Sequence, residues 1–286
     1  MSAGSETMGP PAGRRWRDPR PVHAATGPVA GAAQVREWSK AAVAGPRIVG
    51  THTPMRAIAA SQVSEKVIMA HNVTLEWERQ HYFSIERYRL LSARVMRAAH
   101  NMRTQVFLMA SAIAEEGKTL TSANLAYAMS SAEGKRTLLL ELDLRRPSLR
   151  TLLGAQADPG EALFLESDDW RNHLWELRPN LHALMAMRSA ERPDEILHGE
   201  GVRRLIDEAR REYDYVLIDS APLLLAVDTH VLLQHADHAL LMVRADATPI
   251  SCTQDALKAL GDKALGCILN DVKRLKYEEY YRSYYR

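Results

Sequence analysis

Residues 105–119 read QVFLMASAIAEEGKT, and this stretch decides the fold. Its first part, residues 105–110, is a short apolar run of the kind found in strands buried on both faces of a parallel sheet. A loop, Ser111–Gly117, follows, and Lys118-Thr119 then opens a helical pattern that extends to about Ala132. In this order of elements, backbone N–H groups and the positive end of a helix converge on phosphate. The sequence therefore predicts a phosphate-binding loop of the P-loop type.

Each part of this loop has an expected task. The Lys118 side chain would neutralise the outer phosphates, and the Thr119 hydroxyl is a candidate magnesium ligand. The full set of predicted nucleotide-binding residues in and beside the loop is Ala114, Glu115, Glu116, Gly117, Lys118, Thr119 and Leu120. The usual first glycine is replaced by Ala112, and two glutamates bring carboxylates close to the expected phosphates. An ordinary strand-to-helix turn is the alternative interpretation of this stretch alone.

Two further apolar runs end in carboxylates. Residues 137–143 end in Glu141 and Asp143, and residues 213–219 end in Asp219. Ligands of open parallel sheets bind beyond the carboxyl ends of the strands, so we expect these side chains at the same edge as the phosphate loop. A carboxylate placed like that of Asp219 positions magnesium in P-loop enzymes.

The remaining pattern completes an α/β domain. Buried-strand candidates occur at residues 181–185, 239–243 and 265–269, and helical periodicity at 76–102, 202–211 and 253–260. We expect a P-loop NTPase-like, mainly parallel sheet with helices on both faces, over residues 76–276.

Both ends of the chain differ from this domain. Thirteen of the first 50 residues are Gly or Pro, which predicts a flexible tail over residues 1–55. The last ten residues, 277–286, hold five of the ten tyrosines among Glu, Arg and Ser. A tail of this composition has no core to fill, so a tyrosine-rich substrate segment and a sticky, disordered terminus are the two interpretations.

Composition narrows the classes of function. The net charge of +2 does not indicate a nucleic-acid-binding protein. No apolar stretch approaches the ~18 residues of a membrane span. No apolar signal-peptide core is present near the start. Cys252 and Cys267 read as buried small side chains of a reducing compartment, and no histidine–cysteine spacing indicates a transition-metal site.

With these motifs in place, the sequence resembles the bacterial protein-tyrosine kinases of capsule and exopolysaccharide synthesis over about residues 80–286. In that family a Walker A loop, a Walker A-prime segment, a Walker B strand and a tyrosine-rich tail occur in this order. The matching residues are Gly117-Lys118-Thr119 for Walker A, Asn124-Leu125-Ala126 for the following helix, Asp143 with residues 144–147 for Walker A-prime, Asp219 and Pro222 for Walker B, and the helix-start segment 192–197.

The resemblance implies a tyrosine autokinase that uses ATP and Mg²⁺. Lys118 would hold the β and γ phosphates, and Thr119 and Asp219 would hold the metal. Glu141 would assist the metal, Asp143 would orient or deprotonate the tyrosine hydroxyl, and Asn270 stands where the family places an adenine-side contact. The implied phosphoacceptors are Tyr277, Tyr280, Tyr281, Tyr284 and Tyr285.

The resemblance also implies partners. Transfer would occur between subunits of a homo-oligomer, and a membrane polysaccharide co-polymerase or chain-length regulator would activate the kinase. The chain would then lie in the cytoplasm at the inner face of the membrane, without a transmembrane segment of its own and without nucleic acid. In the family's ring-forming Glu-x-x-Arg-x-x-Arg pattern, Glu86 and Arg89 match, whereas Ser92 replaces the second arginine.

Three departures leave two other functions open. The family usually has Pro-Gly where this chain has Ala114-Glu115, and Asp where it has Glu141. These changes support a catalytically weak, nucleotide-binding scaffold of polysaccharide assembly. A ParA- or MinD-like positioning ATPase is the other alternative, although such proteins typically carry an extra lysine where this chain has Ile113.

Overall fold

The computed structural model of the protein describes residues 56–57, 75–99, 105–131, 134–155 and 163–273. The predicted N-terminal tail, residues 1–55, and the tyrosine cluster 277–286 lie outside these residues. The domain limits therefore stay predictions.

Eight strands form one sheet with the order β1-β4-β5-β3-β6-β2-β7-β8. All neighbouring strands are parallel except β4 and β5, which are antiparallel. The strands are β1 Arg56–Ala57, β2 Gln105–Ser111, β3 Thr137–Glu141, β4 Trp175–Arg178, β5 Leu181–Leu184, β6 Tyr215–Asp219, β7 His238–Arg244 and β8 Ala264–Asn270.

Seven α-helices accompany the sheet in the described part of the chain, and three short 3₁₀ turns occur between them. The helices are α1 Leu75–Ala98, α2 Lys118–Ser130, α3 Leu149–Leu153, α4 Pro193–His198, α5 Glu200–Glu212, α6 Asp228–His235 and α7 Ile250–Leu260. The expected mixed α/β architecture is thus confirmed.

Strand β2 shows why the sheet is covered on both faces. All seven of its residues are buried. Phe107 and Met109 point into the cluster formed with α1, α2 and α3, whereas Val106 and Leu108 point into the cluster formed with α5, α6 and α7. Successive side chains of a strand alternate between faces, so a continuous apolar run requires two covered faces.

The helices cover the two faces of the sheet with buried apolar side chains. Helix α5 buries Val202, Leu205, Ile206 and Ala209, which recur at the spacing of one helical face. Helix α2 is buried along most of its length because it lies between the sheet and α1. A helix enclosed on two sides needs apolar or small residues all round, as its Ala-rich sequence provides.

Strand β8 departs from the expectation of a buried strand. It forms an edge of the sheet, and Cys267 and Leu269 are exposed while their neighbours are half-buried. The interpretation of Cys267 as a buried small side chain was therefore wrong. An apolar run of five residues does not distinguish an edge strand from a central one.

Candidate active site

The carboxyl ends of the central parallel strands form the candidate site. Register pairs Asp219 of β6 with Glu141 of β3 on one side and with Met109 of β2 on the other. The phosphate loop leaves β2 two residues later, and Asn270 ends β8 at the same edge of the sheet. The predicted site residues of three strands are thus brought together by the topology.

Gly117 closes the phosphate loop as the residue before helix α2. It has a left-handed backbone conformation, with φ 85° and ψ 22°, which glycine adopts without steric cost. A Cβ at this position would also collide with the side-chain amide of Asn270. The free N–H groups of the first helical turn face the loop from here, which is the arrangement that binds anions.

Lys118 lies in a cluster of carboxylates at the start of α2. Its Nζ is 3.1 Å from Asp219 Oδ1 and 4.0 Å from Asp143 Oδ2. The lysine side chain is 7% exposed and that of Asp219 is fully buried. A buried carboxylate is stabilised only when a partner compensates its charge, so Lys118 holds this edge of the sheet together without phosphate.

Ser122 completes the cluster and was not anticipated. Its Oγ donates to the Lys118 carbonyl at 2.9 Å and lies 3.3 Å from Asp219 Oδ1. Ser122 follows Lys118 by four residues, so both lie on the same helix face. That spacing is a signal from which the sequence could have identified it.

The second oxygen of Asp219 has a different environment. In the part of the chain that the structure describes, no hydrogen-bond donor reaches the buried Asp219 Oδ2. Buried carboxylate oxygens without a partner are rare and costly, which makes this atom a candidate to receive a ligand. A hard, oxygen-coordinated cation such as Mg²⁺ fits a carboxylate oxygen of this kind. The hydroxyl of Thr119, which accepts a hydrogen bond from Ser148 Oγ at 3.2 Å, is a second oxygen at the start of α2.

Asp143 faces this cluster from the loop after β3. Its Oδ1 accepts the Arg146 N–H at 3.1 Å, which fixes the carboxylate. Burial raises the pKa of Asp143, while the positive charge of Lys118 opposes that shift. A carboxylate with a raised pKa is a better proton acceptor, which suits the role expected of this residue.

Glu141 is surrounded by backbone hydrogen-bond donors instead. Its Oε1 accepts the N–H groups of Ser148 and Leu149, both at 2.7 Å, and its Oε2 accepts the Ala186 N–H at 3.0 Å. Burial raises the pKa of Glu141 to about 8, against the effect of these backbone bonds. Because both oxygens are engaged with backbone donors, the geometry favours a role in positioning the loop that carries Asp143 over direct metal binding.

We expect Glu141→Asp to destabilise the fold although the family usually has aspartate at this position. The shorter side chain cannot reach the donors on both sides, so at least one buried N–H of Ser148, Leu149 or Ala186 loses its acceptor. Such a loss costs about 1–3 kcal/mol. Urea unfolding measures it, and Glu176→Asp on β4, a residue that is not fully buried, serves as the control. Unchanged stability of Glu141→Asp would show that the three bonds do not position the loop.

The two glutamates of the phosphate loop differ from each other. Glu116 is 2% exposed, and its carboxylate accepts the Ile113 N–H at 2.9 Å and the Thr248 hydroxyl. The carboxylate of Glu116 is therefore occupied by hydrogen bonds to other groups of the protein. Glu115 is exposed at the apex and has a left-handed backbone with φ 65°. A residue with a Cβ pays a steric cost in this conformation, which explains why a glycine is usual in the family.

Substitutions of Glu115 should separate strain from charge. Glu115→Gln removes the carboxylate but keeps the strained backbone, so we expect ATP to bind about three- to tenfold more tightly with unchanged stability. Glu115→Gly should show the same gain in affinity and about 0–1 kcal/mol more stability, because the relief of strain exceeds the added unfolded-state entropy. Calorimetric titration at low and high salt measures the affinity, and the gain should shrink at high salt. Equal affinity of all three proteins would contradict this account.

Asn270 contacts the loop itself. Its Nδ2 donates to the Glu116 carbonyl at 3.0 Å. Ala114 is exposed next to Glu115 in the phosphate loop, and Leu120 is half-buried on α2. The contact of Asn270 with an adenine stays a prediction.

A further ion pair links the loop after β3 to the start of helix α6. Arg145 donates to Asp228 through Nε at 2.7 Å and through a terminal nitrogen at 3.0 Å, and the Asp228 side chain is fully buried. Asp228 opens helix α6 and was not anticipated. A single acidic residue in the first turn of a helix has many structural explanations, so the sequence held no signal for this pair.

Two other features concern ligands and membranes. Within the described ranges, no group of three or more His, Cys, Asp or Glu side chains could hold a metal ion by itself. A site for Mg²⁺ would therefore depend on oxygens from the nucleotide as well as on Thr119 and Asp219.

Among the helices that the structure describes, none has the length and apolar character needed to cross a membrane.

Comparison with known proteins shows which proteins this chain resembles in sequence. No protein-family model matches the chain. The succinoglycan biosynthesis transport protein ExoP of Rhizobium meliloti is 32% identical over 202 residues, which is 64% of this chain and 26% of ExoP. The tyrosine-protein kinase YwqD of Bacillus subtilis is 29% identical over 200 residues, which is 68% of this chain and 84% of YwqD.

Solved structures agree in fold. The kinase domain of the Escherichia coli tyrosine kinase ETK matches with a TM-score of 0.61 and 24% identity, over 67% of this chain and 77% of that domain. A complex of Cyanothece McdA with ATP matches with a TM-score of 0.50 and 17% identity, over 59% of this chain and 71% of that chain, and shows the fold alone. The sequence matches and the shared fold agree with the resemblance that the motifs indicated: this chain is similar in sequence to proteins named as bacterial tyrosine-protein kinases, and it shares the fold of their solved kinase domains.

Proposed function

We propose that the chain is an ATP- and Mg²⁺-dependent protein-tyrosine kinase that phosphorylates the C-terminal tyrosine cluster of a neighbouring copy. The observation that carries this proposal is the cluster at the carboxyl edge of the sheet. Lys118 there pairs with Asp219 and lies 4.0 Å from Asp143, and Asp219 keeps one oxygen without a donor among the described residues. The names of the sequence relatives supply the reaction class.

Each residue of the candidate site has its own role in the proposed phosphoryl transfer. Loop N–H groups and Lys118 would hold the β and γ phosphates, and Thr119 and Asp219 would hold Mg²⁺ directly or through water. The bound metal offsets charge on the phosphate oxygens. Asp143 would take the phenolic proton as the bond from tyrosine oxygen to the γ phosphorus forms and the bond to the leaving ADP oxygen breaks. Positioning and charge stabilisation account for catalysis of this kind.

The proposed setting follows from the relatives. ExoP is named as a transport protein of succinoglycan biosynthesis, and a chimera named CapA2B2 shares this fold with a TM-score of 0.62. We infer that the chain regulates synthesis or export of an extracellular polysaccharide, in the cytoplasm and beside a membrane co-polymerase. Each phosphate adds about −1.5 to −2 charges, so a phosphorylated cluster would repel itself and loosen the assembly of subunits.

One experiment tests the transfer between copies. A full chain with phenylalanine at the five tail tyrosines serves as the donor, and a full chain with Lys118→Met serves as the acceptor. Phosphotyrosine on the acceptor after addition of ATP and Mg²⁺ supports the proposal. ATP binding without phosphotyrosine would favour the scaffold, for which the exposed carboxylate of Glu115 is the main support. ATP-dependent dimerisation with hydrolysis alone would favour the positioning ATPase.

A further inference from the structure

The segment after β6 exposes an apolar surface beside the candidate site. Leu224, Leu225 and Val227 are 38%, 66% and 57% exposed. We name these three residues the apolar lip. Six large apolar side chains are exposed in the described part of the chain, and three of the six lie within residues 224–227. Contiguous apolar exposure of this kind marks a site of interaction more often than scattered single residues do.

Hydrogen bonds fix the lip against the phosphate loop. The Leu224 N–H donates to the Ala112 carbonyl at 3.2 Å, and the Leu223 N–H donates to the Ser111 carbonyl at 2.7 Å. A shallow cavity of ≈420 Å³ is lined by Leu223–Val227 and His230. The lip is therefore held in place as part of the site's rim.

The other end of the lip adjoins the loop that carries Asp143. Asp228 follows Val227 directly and is held by both bonds from Arg145. Arg145 and Arg146 are exposed and follow the candidate base by two and three residues. The apolar lip thus adjoins the Arg145–Asp228 ion pair, and the exposed Arg146 follows Arg145 in sequence.

A segment that fits this surface combines aromatic rings with carboxylates. Residues 277–281 of this chain read Tyr-Glu-Glu-Tyr-Tyr, and residues 282–286 carry two arginines and no acidic side chain. Only the first half of the cluster complements both parts of the surface. Tyrosine rings bury large apolar area at low cost in conformational entropy, and arginines pair well with carboxylates.

We propose that the apolar lip, with Arg145 and Arg146, is the docking surface for residues 277–281 of a neighbouring copy. This inference rests on the proposed function and adds to it the surface that selects the acceptor. Tyrosines on the lip approach Asp143 from the side, while Glu278 and Glu279 pair with Arg146 and with the side of the Arg145 guanidinium that does not bond Asp228. The acidic half of the cluster is then the preferred acceptor.

A binding measurement tests the surface without catalysis. A labelled peptide of residues 277–286 is titrated with the full chain, and its fluorescence anisotropy gives the dissociation constant. We expect Leu225→Ser and Val227→Ser each to weaken binding about tenfold, which corresponds to about 1.4 kcal/mol. Ile250→Ser is the matched control, because Ile250 is 77% exposed and lies after β7, outside the lip. A peptide with glutamine at positions 278 and 279 should bind more weakly, with less dependence on salt.

Each outcome decides one proposal. Equal affinity of the lip variants and the wild-type chain, or no binding of the peptide, overturns the docking surface. If the lip variants change only the self-association of the chain in sedimentation, the lip is an interface between folded domains and the inference is overturned. Peptide binding that depends on the lip, without any transfer of phosphate, leaves the surface standing and contradicts the kinase function. Transfer of phosphate, with unchanged affinity of the lip variants for the peptide, supports the kinase function and contradicts the docking surface.

Discussion

Lys118→Met is expected to abolish phosphoryl transfer and to destabilise the protein at the same time. The positive charge of Lys118 serves the outer phosphates during the reaction, and loss of such a stabilising group reduces rates by on the order of 10²–10³ or more. In the protein without nucleotide, the same charge compensates the buried Asp219, 3.1 Å away. Removal of one partner from a buried pair costs about 3–5 kcal/mol. A rate assay and urea unfolding measure the two effects.

A double variant separates these two roles. Asp219→Asn in the Lys118→Met background removes the uncompensated charge, so most of the lost stability should return while transfer stays absent. Lys118→Arg is the second control, because it keeps the charge but replaces a compact ammonium by a planar group that fits the loop poorly. Wild-type transfer by Lys118→Met would exclude the proposed role of the lysine. A double variant no more stable than Lys118→Met would show that the pair with Asp219 contributes little.

The second large effect concerns the response to magnesium. ATP with Mg²⁺ should stabilise the wild-type chain by about 2.7 kcal/mol at a ligand concentration of 100 times the dissociation constant. Asp219→Asn should lose the part of this gain that requires Mg²⁺, because Asp219 Oδ2 is the oxygen without a partner among the described residues. ATP with EDTA should stabilise both proteins equally through the loop and Lys118. Thermal unfolding under these conditions measures the difference.

Asp143→Asn is the matched control for this experiment. It removes a carboxylate at the same edge of the sheet, 4.0 Å from Lys118 Nζ, whose Oδ1 is already bonded to the Arg146 N–H. We expect it to lower transfer but to keep the Mg²⁺-dependent stabilisation. If Asp143→Asn lost the response to Mg²⁺ and Asp219→Asn kept it, the metal would belong to the loop after β3 and the assigned roles would be exchanged.

Much of the fold could be predicted because its central strands are continuous apolar runs. Strand β2 with the following Gly117-Lys118-Thr119 fixed the type of domain, and the acidic ends of β3 and β6 indicated the edge at which the site lies. The antiparallel strand β4 was missed, since Trp175–Arg178 is short, and three of its four residues are only half-buried. Short strands are determined by tertiary contacts more than by local pattern.

The environment of individual carboxylates could not be predicted. Glu141 and Asp219 both end buried strands, yet one accepts three backbone N–H groups and the other keeps a free oxygen among the described residues. Glu116 and Glu115 are neighbours in sequence, but one is buried in the loop and the other is exposed. These differences arise from loops that return from distant positions, such as the one carrying Thr248, and no spacing in the sequence encodes them.

We propose above that this domain phosphorylates the tyrosine cluster of another copy of the same chain. Intact and tandem mass spectrometry of the full chain after incubation with ATP and Mg²⁺, beside Lys118→Met and a chain ending at Lys276, tests it most directly. We predict phosphate confined to tyrosines 277–285 of the full chain, and none on the other two proteins. An unmodified tail in the presence of bound ATP and a membrane activator, or phosphate on the Lys118→Met chain incubated alone, would contradict the claim.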